Sequence, residues 1–294
     1  MIPKRMFFFW ANDKMSWLRY MTLYSFRKFN PDWEMILFVS DQVTDKKVWT
    51  EMNKQDFFNF NGDDYSHKIS ELDVKIVKWD INDNKIAKTN LKNVSSSHQS
   101  NFLKWSELYN EGGFFSDLDI LYIRPMDNLY NLLIDGEYDG MLCQTQWMSI
   151  GFLASRKGNQ LFKDIFNSAL KTYKSNSYQS AGVISLYKLL NCQVNDRPHA
   201  LRIIKGRYRN LNFYNLPFHV VYPFIGHIEL SLSKILTPKY DKKLLDKMKD
   251  DTIGFHWYAG FPLSQDLNNK MNHKNYKEYI NIITGLIEKF KVME

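Results

Sequence analysis

The residues best suited to chemistry in this 294-residue chain are Asp117 and Asp119, in the run Glu111-Gly112-Gly113-Phe114-Phe115-Ser116-Asp117-Leu118-Asp119-Ile120. Two carboxylates at alternate positions of an extended chain point to the same side. At a strand end they can share one hard divalent cation, which takes oxygen ligands and keeps sites for substrate phosphates. Such a cation stabilises the negative charge on a departing nucleoside diphosphate. Asp-x-Asp also arises by chance as a pair of solvated loop residues. Here it occurs once in the chain, after a capped helix and Gly-Gly and between two apolar segments, which favours function. The spacing of an EF-hand loop is missing, and no HExxH, GxGxxG or GxxxxGK[ST] run is present.

The elements that must position this pair follow from the hydrophobic pattern. Arg5 to Trp10 is a short apolar run that reads as a buried strand. Asn12 and Asp13 end it too early for a signal peptide. Ser16 caps a helix carrying Trp17, Tyr20, Met21, Tyr24 and Phe29 at helical spacing. A turn at Asn30-Pro31-Asp32 leads to a second strand, Met35 to Val39, bounded by Ser40-Asp41. Strand, helix, strand in this order begins a parallel α/β sheet. Asp56 to Lys68 and Asn82 to Asn93 are polar, and Val74 to Val77 is a strand candidate between them. Ser95, Ser96 and Ser97 offer N-caps for a helix with Phe102, Trp105, Leu108 and Tyr109 on one face, stopped by Gly112-Gly113. Phe114-Phe115 and Ile120 to Ile123 are strand-like on either side of the aspartates, and Pro125 closes the second. Further strands are expected at Gly140 to Gln144, Ile150 to Ser155, Val220 to Tyr222 and Ile253 to Trp257. Helices are expected at Leu161 to Tyr173, Gly182 to Leu190 and, amphipathic and closing the chain, Tyr276 to Phe290 through Tyr279, Ile280, Ile283, Ile287 and Phe290. With no repeat or linker in view, one domain over 1–294 is expected, 1–125 forming the nucleotide-sugar half and 126–294 the acceptor side.

Helix, Gly-Gly, aromatic and then Asp-x-Asp resembles the DXD glycosyltransferases of family 32, a group with initiating mannosyltransferases and with the glucosylating toxins as relatives. The resemblance is clearest over Ile2 to Trp10 and Ser97 to Pro125, and weaker at Phe255 to Gly260. It implies a GT-A fold, a Rossmann-type nucleotide-sugar-binding α/β fold with a mainly parallel central sheet. It also implies Mn²⁺ (or Mg²⁺), retention of anomeric configuration, a nucleotide-sugar donor and a glycan or lipid-linked acceptor. Trp10 then lies against the nucleotide base, with the Phe9 and Ala11 backbone beside it; the alternative for Trp10 is a core position. Ser100, Asn101 and Lys104 align with a helix whose usual Asp and Arg bind donor-sugar hydroxyls. Asn keeps an acceptor without the charge, and Lys lacks the planar fork of Arg. By the same resemblance Asp119 is the direct metal ligand, Asp117 contacts ribose or metal-bound water, and His256 is the third ligand. The alternative for His256 is a core histidine packed between Phe255 and Trp257.

Composition bounds these readings. Hydrophobic residues make up 44% and charged residues 24%, which suits a globular chain rather than a disordered one. Cys143 and Cys192 lack metal-ligand spacing and read as buried small hydrophobes in a reducing compartment, so a cytoplasmic enzyme is expected. No stretch reaches the ~20 apolar residues of a membrane span. The net charge of +7 suits anionic substrates or a membrane surface, and equally plain solubility, and the chain lacks the aromatic-interleaved basic cluster of a nucleic-acid module. Lys242, Lys243, Lys247 and Lys249 surround Leu244, Leu245 and Met248; a solvated helix face is the simpler reading and peripheral contact with an anionic membrane the other. Two aspartates also serve metal-dependent phosphohydrolases and nucleotidyltransferases. Asn101 and Lys104 leave open a non-catalytic nucleotide-sugar-binding protein.

Overall fold

The computed structural model describes residues 1–11, 14–40, 60–144, 148–193, 197–224 and 228–294. The expected features at Asn12-Asp13, at Asp41 and at the start of the Asp56 to Lys68 stretch lie outside these residues. Strands are β1 (Arg5–Trp10), β2 (Glu34–Val39), β3 (Lys75–Lys78), β4 (Gly113–Ser116), β5 (Ile120–Tyr122), β6 (Gly140–Gln144), β7 (Met148–Ser155), β8 (Phe213–Pro217) and β9 (Gly254–His256). Helices are α1 (Trp17–Phe29), α2 (Ser96–Asn110), α3 (Asp127–Asp135), α4 (Gln160–Thr172), α5 (Val183–Leu190), α6 (Arg197–Arg207), α7 (Ile228–Ile235), α8 (Pro262–Lys270) and α9 (Ile282–Lys289).

Seven strands form one sheet in the order β3-β2-β1-β4-β7-β6-β8. β3, β2, β1 and β4 are mutually parallel, β7 runs against both β4 and β6, and β8 is parallel to β6. The expected α/β fold with a mainly parallel central sheet is therefore present. A strand buried on both faces needs apolar side chains at its buried positions, and β1 supplies them from Met6 to Phe9. Met6 and Phe8 join Leu18, Met21 and Phe26 of α1 on one face. Phe7 and Phe9 join Phe102 and Trp105 of α2 on the other.

β5 leaves the large sheet and pairs antiparallel with β9, Ile120 opposite His256. The aspartates thus lie in the turn from β4 to β5, not on the extended chain that the i, i+2 spacing suggested. Gly112 and Gly113 do more than stop α2. Their φ of +69° and +124° disfavour side chains, and a Cβ on Gly113 would come 2.5 Å from Arg5 Cγ on β1.

Two expected elements differ. Val220 to Tyr222 is no strand: Pro217 ends β8, which the hydrophobic pattern missed, and a 3₁₀ turn, Phe218–Val220, follows. The Val220 and Val221 carbonyls still accept the Ile253 and His256 N–H groups, so this turn braces β9. Tyr276 to Phe290 is not one helix. Asn281 caps α9 by accepting the Thr284 N–H at 3.0 Å, which interrupts the helical run and leaves Ile280 57% exposed. Leu244, Leu245 and Met248 are partly buried against the core rather than displayed. Among the described residues no helix is long and apolar enough to cross a membrane.

Candidate active site

The carboxyl ends of β1 and β4, the N-terminal half of α2 and the turn after β9 line an open cleft of about 130 Å³. Phe9, Trp10, Ala11, Ser100, Asn101, Lys104, Asp117 and Asp119 all line it. Strand ends are where an open α/β sheet leaves room for a ligand.

Asp117 is held from the α2 and β7 side. Its N–H donates to the Gly151 carbonyl at 2.8 Å. The Lys104 ammonium, on a side chain 2% exposed, donates to Asp117 Oδ1 at 3.2 Å and to the Ile150 carbonyl at 3.0 Å. It also lies 4.6 Å from the Phe115 ring centroid. Burial pulls the Lys104 pKa below its ordinary value, and the aspartates oppose that shift. Gly151 leaves room for this approach: a Cβ there would lie 2.8 Å from Asp117 Oδ2 and 3.0 Å from Tyr222 Oη, so one of those side-chain ends would have to shift.

Asp119 is held from the β9 side. Its Oδ2 accepts the Ala259 N–H at 2.9 Å, and its carbonyl accepts the Trp257 N–H at 2.8 Å. His256 Nε2 stands 3.1 Å from Asp119 Oδ1. Burial alone would raise the Asp119 pKa, but His256, Arg19 and the Ala259 N–H outweigh it and hold the carboxyl below its ordinary value. The imidazole packs between Tyr222 and Tyr258, with ring centroids at 5.0 and 4.3 Å. Tyr258 N–H donates to Nδ1 at 3.2 Å, so a neutral His256 carries its proton on Nε2, facing Asp119.

One ligand atom from each of Asp117, Asp119 and His256 lies within 4.8 Å of the others. Two carboxylates and an imidazole suit a Mn²⁺- or Mg²⁺-type ion. Asp119 Oδ1 is buried and has no aligned hydrogen-bond partner despite its closeness to His256, as a ligand oxygen would be. These residues fit a divalent cation. For His256 to present Nε2 to one, the Tyr258 N–H must release Nδ1.

Residues 19–135 match the family described as the glycosyltransferase sugar-binding region containing a DXD motif. The matched span runs from α1 to the end of α3 and contains Asn101, Lys104 and both aspartates of the DXD motif. The resemblance to DXD glycosyltransferases, and the enzyme class it implies, hold at this level. No curated protein matches the chain. Among solved structures, the PaToxG glycosyltransferase is 13% identical, with 71% of this chain and 75% of that one covered and a TM-score of 0.42. The glycosyltransferase GlyE of Streptococcus pneumoniae TIGR4 is 11% identical, and all of this chain matches 61% of GlyE at a TM-score of 0.47. The galactosyltransferase LgtC, solved with donor and acceptor sugar analogs, is 10% identical, with coverage of 93% and 99% and a TM-score of 0.41.

Among the lining residues that the sequence reading did not assign to the site are Arg19, Tyr178 and Gln179. Tyr178 and Gln179 sit in the turn before α5 and carry no pattern of their own. His98 of α2 holds that turn through Ser177, whose carbonyl lies 2.9 Å from Nε2. Arg19 did leave a signal. It is a cation within Trp17-Leu18-Arg19-Tyr20-Met21, a run of α1 that is buried throughout.

Proposed function

We propose that this chain is a metal-dependent hexosyltransferase. It takes the sugar from a nucleotide sugar, with a UDP-sugar as the expected donor, and passes it to a glycan or lipid-linked acceptor. Retention of configuration and membership of family 32 rest on the sequence resemblance, and a cytoplasmic location on the cysteine usage. The observation that carries the reading is the Asp117, Asp119 and His256 cluster, whose two aspartates line the same cleft as Trp10 while His256 stands behind Asp119, outside the lining. A nucleotide sugar spans such a cleft, base toward Trp10 and diphosphate toward the aspartates.

Charge supports the pairing of metal and donor. The cleft lining holds two cations, Arg19 and Lys104, and two carboxylates, Asp117 and Asp119. A doubly negative diphosphate entering beside those carboxylates calls for a divalent cation with it. Bound there by Asp117, Asp119 and His256, Mn²⁺ or Mg²⁺ would supply positive charge for the nucleoside diphosphate as it leaves. The chain's own groups do the positioning. Trp10, half-buried with an unpartnered indole N–H, receives the base beside Phe9 and Ala11. Ser100 and Asn101 face the donor sugar from α2. Lys104 keeps Asp117 oriented, and the Ala259 N–H does the same for Asp119.

One observation favours a second reading, a nucleotide-sugar-binding protein without turnover. Lys104, which takes the place of the Arg expected to bind sugar, is engaged by Asp117 and the Ile150 carbonyl. The deciding experiment is a thermal-shift screen of UDP- and GDP-sugars with and without Mn²⁺, followed by product analysis of the donors that bind. Metal-dependent stabilisation by one donor, with sugar released or transferred, is expected. Stabilisation without turnover on any acceptor selects the binding protein, and no stabilisation by any nucleotide sugar refutes both readings.

A further inference from the structure

Arg19 stands between Trp10 and the turn that bears the two aspartates. Its guanidinium carbon lies 5.0 Å from the centroid of Trp10 and 5.8 Å from that of Trp257. Its Nη1 donates to the carbonyl of Leu118, between the two aspartates, at 3.4 Å. The side chain comes from α1, is buried at 7% exposure, and still forms part of the cleft wall.

A buried charge is costly unless opposite charge and hydrogen bonds compensate it. Asp119 and Asp117 supply the opposite charge, and two indole faces supply cation–π attraction. That compensation explains how the guanidinium is tolerated, and its place in the cleft wall suggests a use. A ligand reaching from Trp10 to Asp117 and Asp119 must pass Arg19, which touches the first and bonds the turn bearing the others. In a nucleotide sugar the groups between the base and the transferred sugar are the ribose and the diphosphate, and of these only the diphosphate is charged. Arg is the side chain whose planar fork matches phosphate oxygens in pairs. The other cation of the wall, Lys104, is turned to Asp117 and the Ile150 carbonyl.

We infer that Arg19 is a donor-binding residue that contacts the diphosphate, and that by covering one face of Trp10 it directs the base to the opposite face or the indole edge. The inference rests on the nucleotide-sugar reading of this cleft. It separates the recognition of the nucleoside, by Trp10, from the recognition of its phosphates, by Arg19.

The test is calorimetric binding of uridine, UMP and UDP, and of the guanosine series, in Mn²⁺, to the wild-type chain, Arg19→Met and Arg19→Lys. Loss of charge-assisted hydrogen bonds to phosphate predicts that Arg19→Met binds UDP or GDP about 10–100-fold more weakly, with nucleoside affinity within about twofold. Arg19→Lys recovers part of the loss, since it restores charge without the fork. If Arg19→Met does not fold, the Lys variant carries the test: reduced diphosphate affinity at unchanged nucleoside affinity supports the contact. Equal weakening of nucleoside and diphosphate would show that Arg19 only props Trp10, and unchanged diphosphate binding would remove it from the site; either overturns the inference alone. If the wild-type chain binds neither UDP nor GDP, the nucleotide-sugar reading itself fails.

Discussion

The two aspartates of the DXD motif are two positions apart, yet they face different surroundings. On one flank Asp117 meets a resident ammonium, Lys104, and a backbone cleared by Gly151. On the other, Asp119 meets an N–H group and an imidazole, and one of its oxygens has no aligned partner. A carboxylate matched by a fixed cation is held in orientation and has less charge left for a metal. A carboxylate with an uncommitted buried oxygen is prepared to give that oxygen up. The motif is therefore asymmetric: under the proposed function the β9 flank would hold the cation and the α2 flank the orientation of Asp117.

The largest effect should come from the β9 flank. Asp119→Ala is expected to lower metal-dependent turnover by roughly a thousandfold, the scale of losing a main electrostatic contribution to the leaving group. A folded Asp119→Ala protein with full Mn²⁺-dependent activity would end the comparison. Next comes His256→Ala. If His256 is a ligand, its loss should raise the Mn²⁺ needed for half-maximal activity about a hundredfold, with melting temperature nearly unchanged. A drop in melting temperature at constant metal requirement would instead make His256 an orienting partner of Asp119 through its Nε2 proton. The smallest effect is assigned to Gly151→Ala. The added methyl pushes Asp117 off its position, and kcat/KM is expected to fall about tenfold. Metal affinity should stay close to wild type, because the β9 flank is intact. An equal fall in metal affinity would mean that the flanks act as one unit.

The α2 flank was largely legible in the sequence. Ser95 caps the helix, Gly112-Gly113 ends it, and the aspartates follow within ten residues, so local signals place them. His256 was also found, through the strand pattern around it and the resemblance. Local signals failed where long-range packing decides. Val220 to Tyr222 has the apolar content of a strand, but Pro217 had already closed β8, so those residues became the brace behind β9. Asn281 overrode an apparent closing helix because a cap competes locally with the helical ladder. Arg19 was missed as a site residue, despite being a cation in an apolar run, because helical periodicity says only that a position is inward, not whether inward means core or cleft. Gly151 was missed for a similar reason: its value lies in the space it leaves beside a residue far away in sequence.

That separation in sequence also sets an order of assembly. Ala259 reaches Asp119 across 140 positions, whereas Lys104 reaches Asp117 across 13. Closing a long loop costs more chain entropy than closing a short one, and contacts of high sequence separation form slowly. During synthesis the Asp117 flank can be complete while β9 is still unmade, and Asp119 then waits without its hydrogen-bond donor or its histidine. The β5–β9 ladder is in this sense a checkpoint on synthesis. The charge centre of the cleft matures only when the late strand arrives, so an incomplete chain holds both aspartates of the motif without the surroundings that distinguish them.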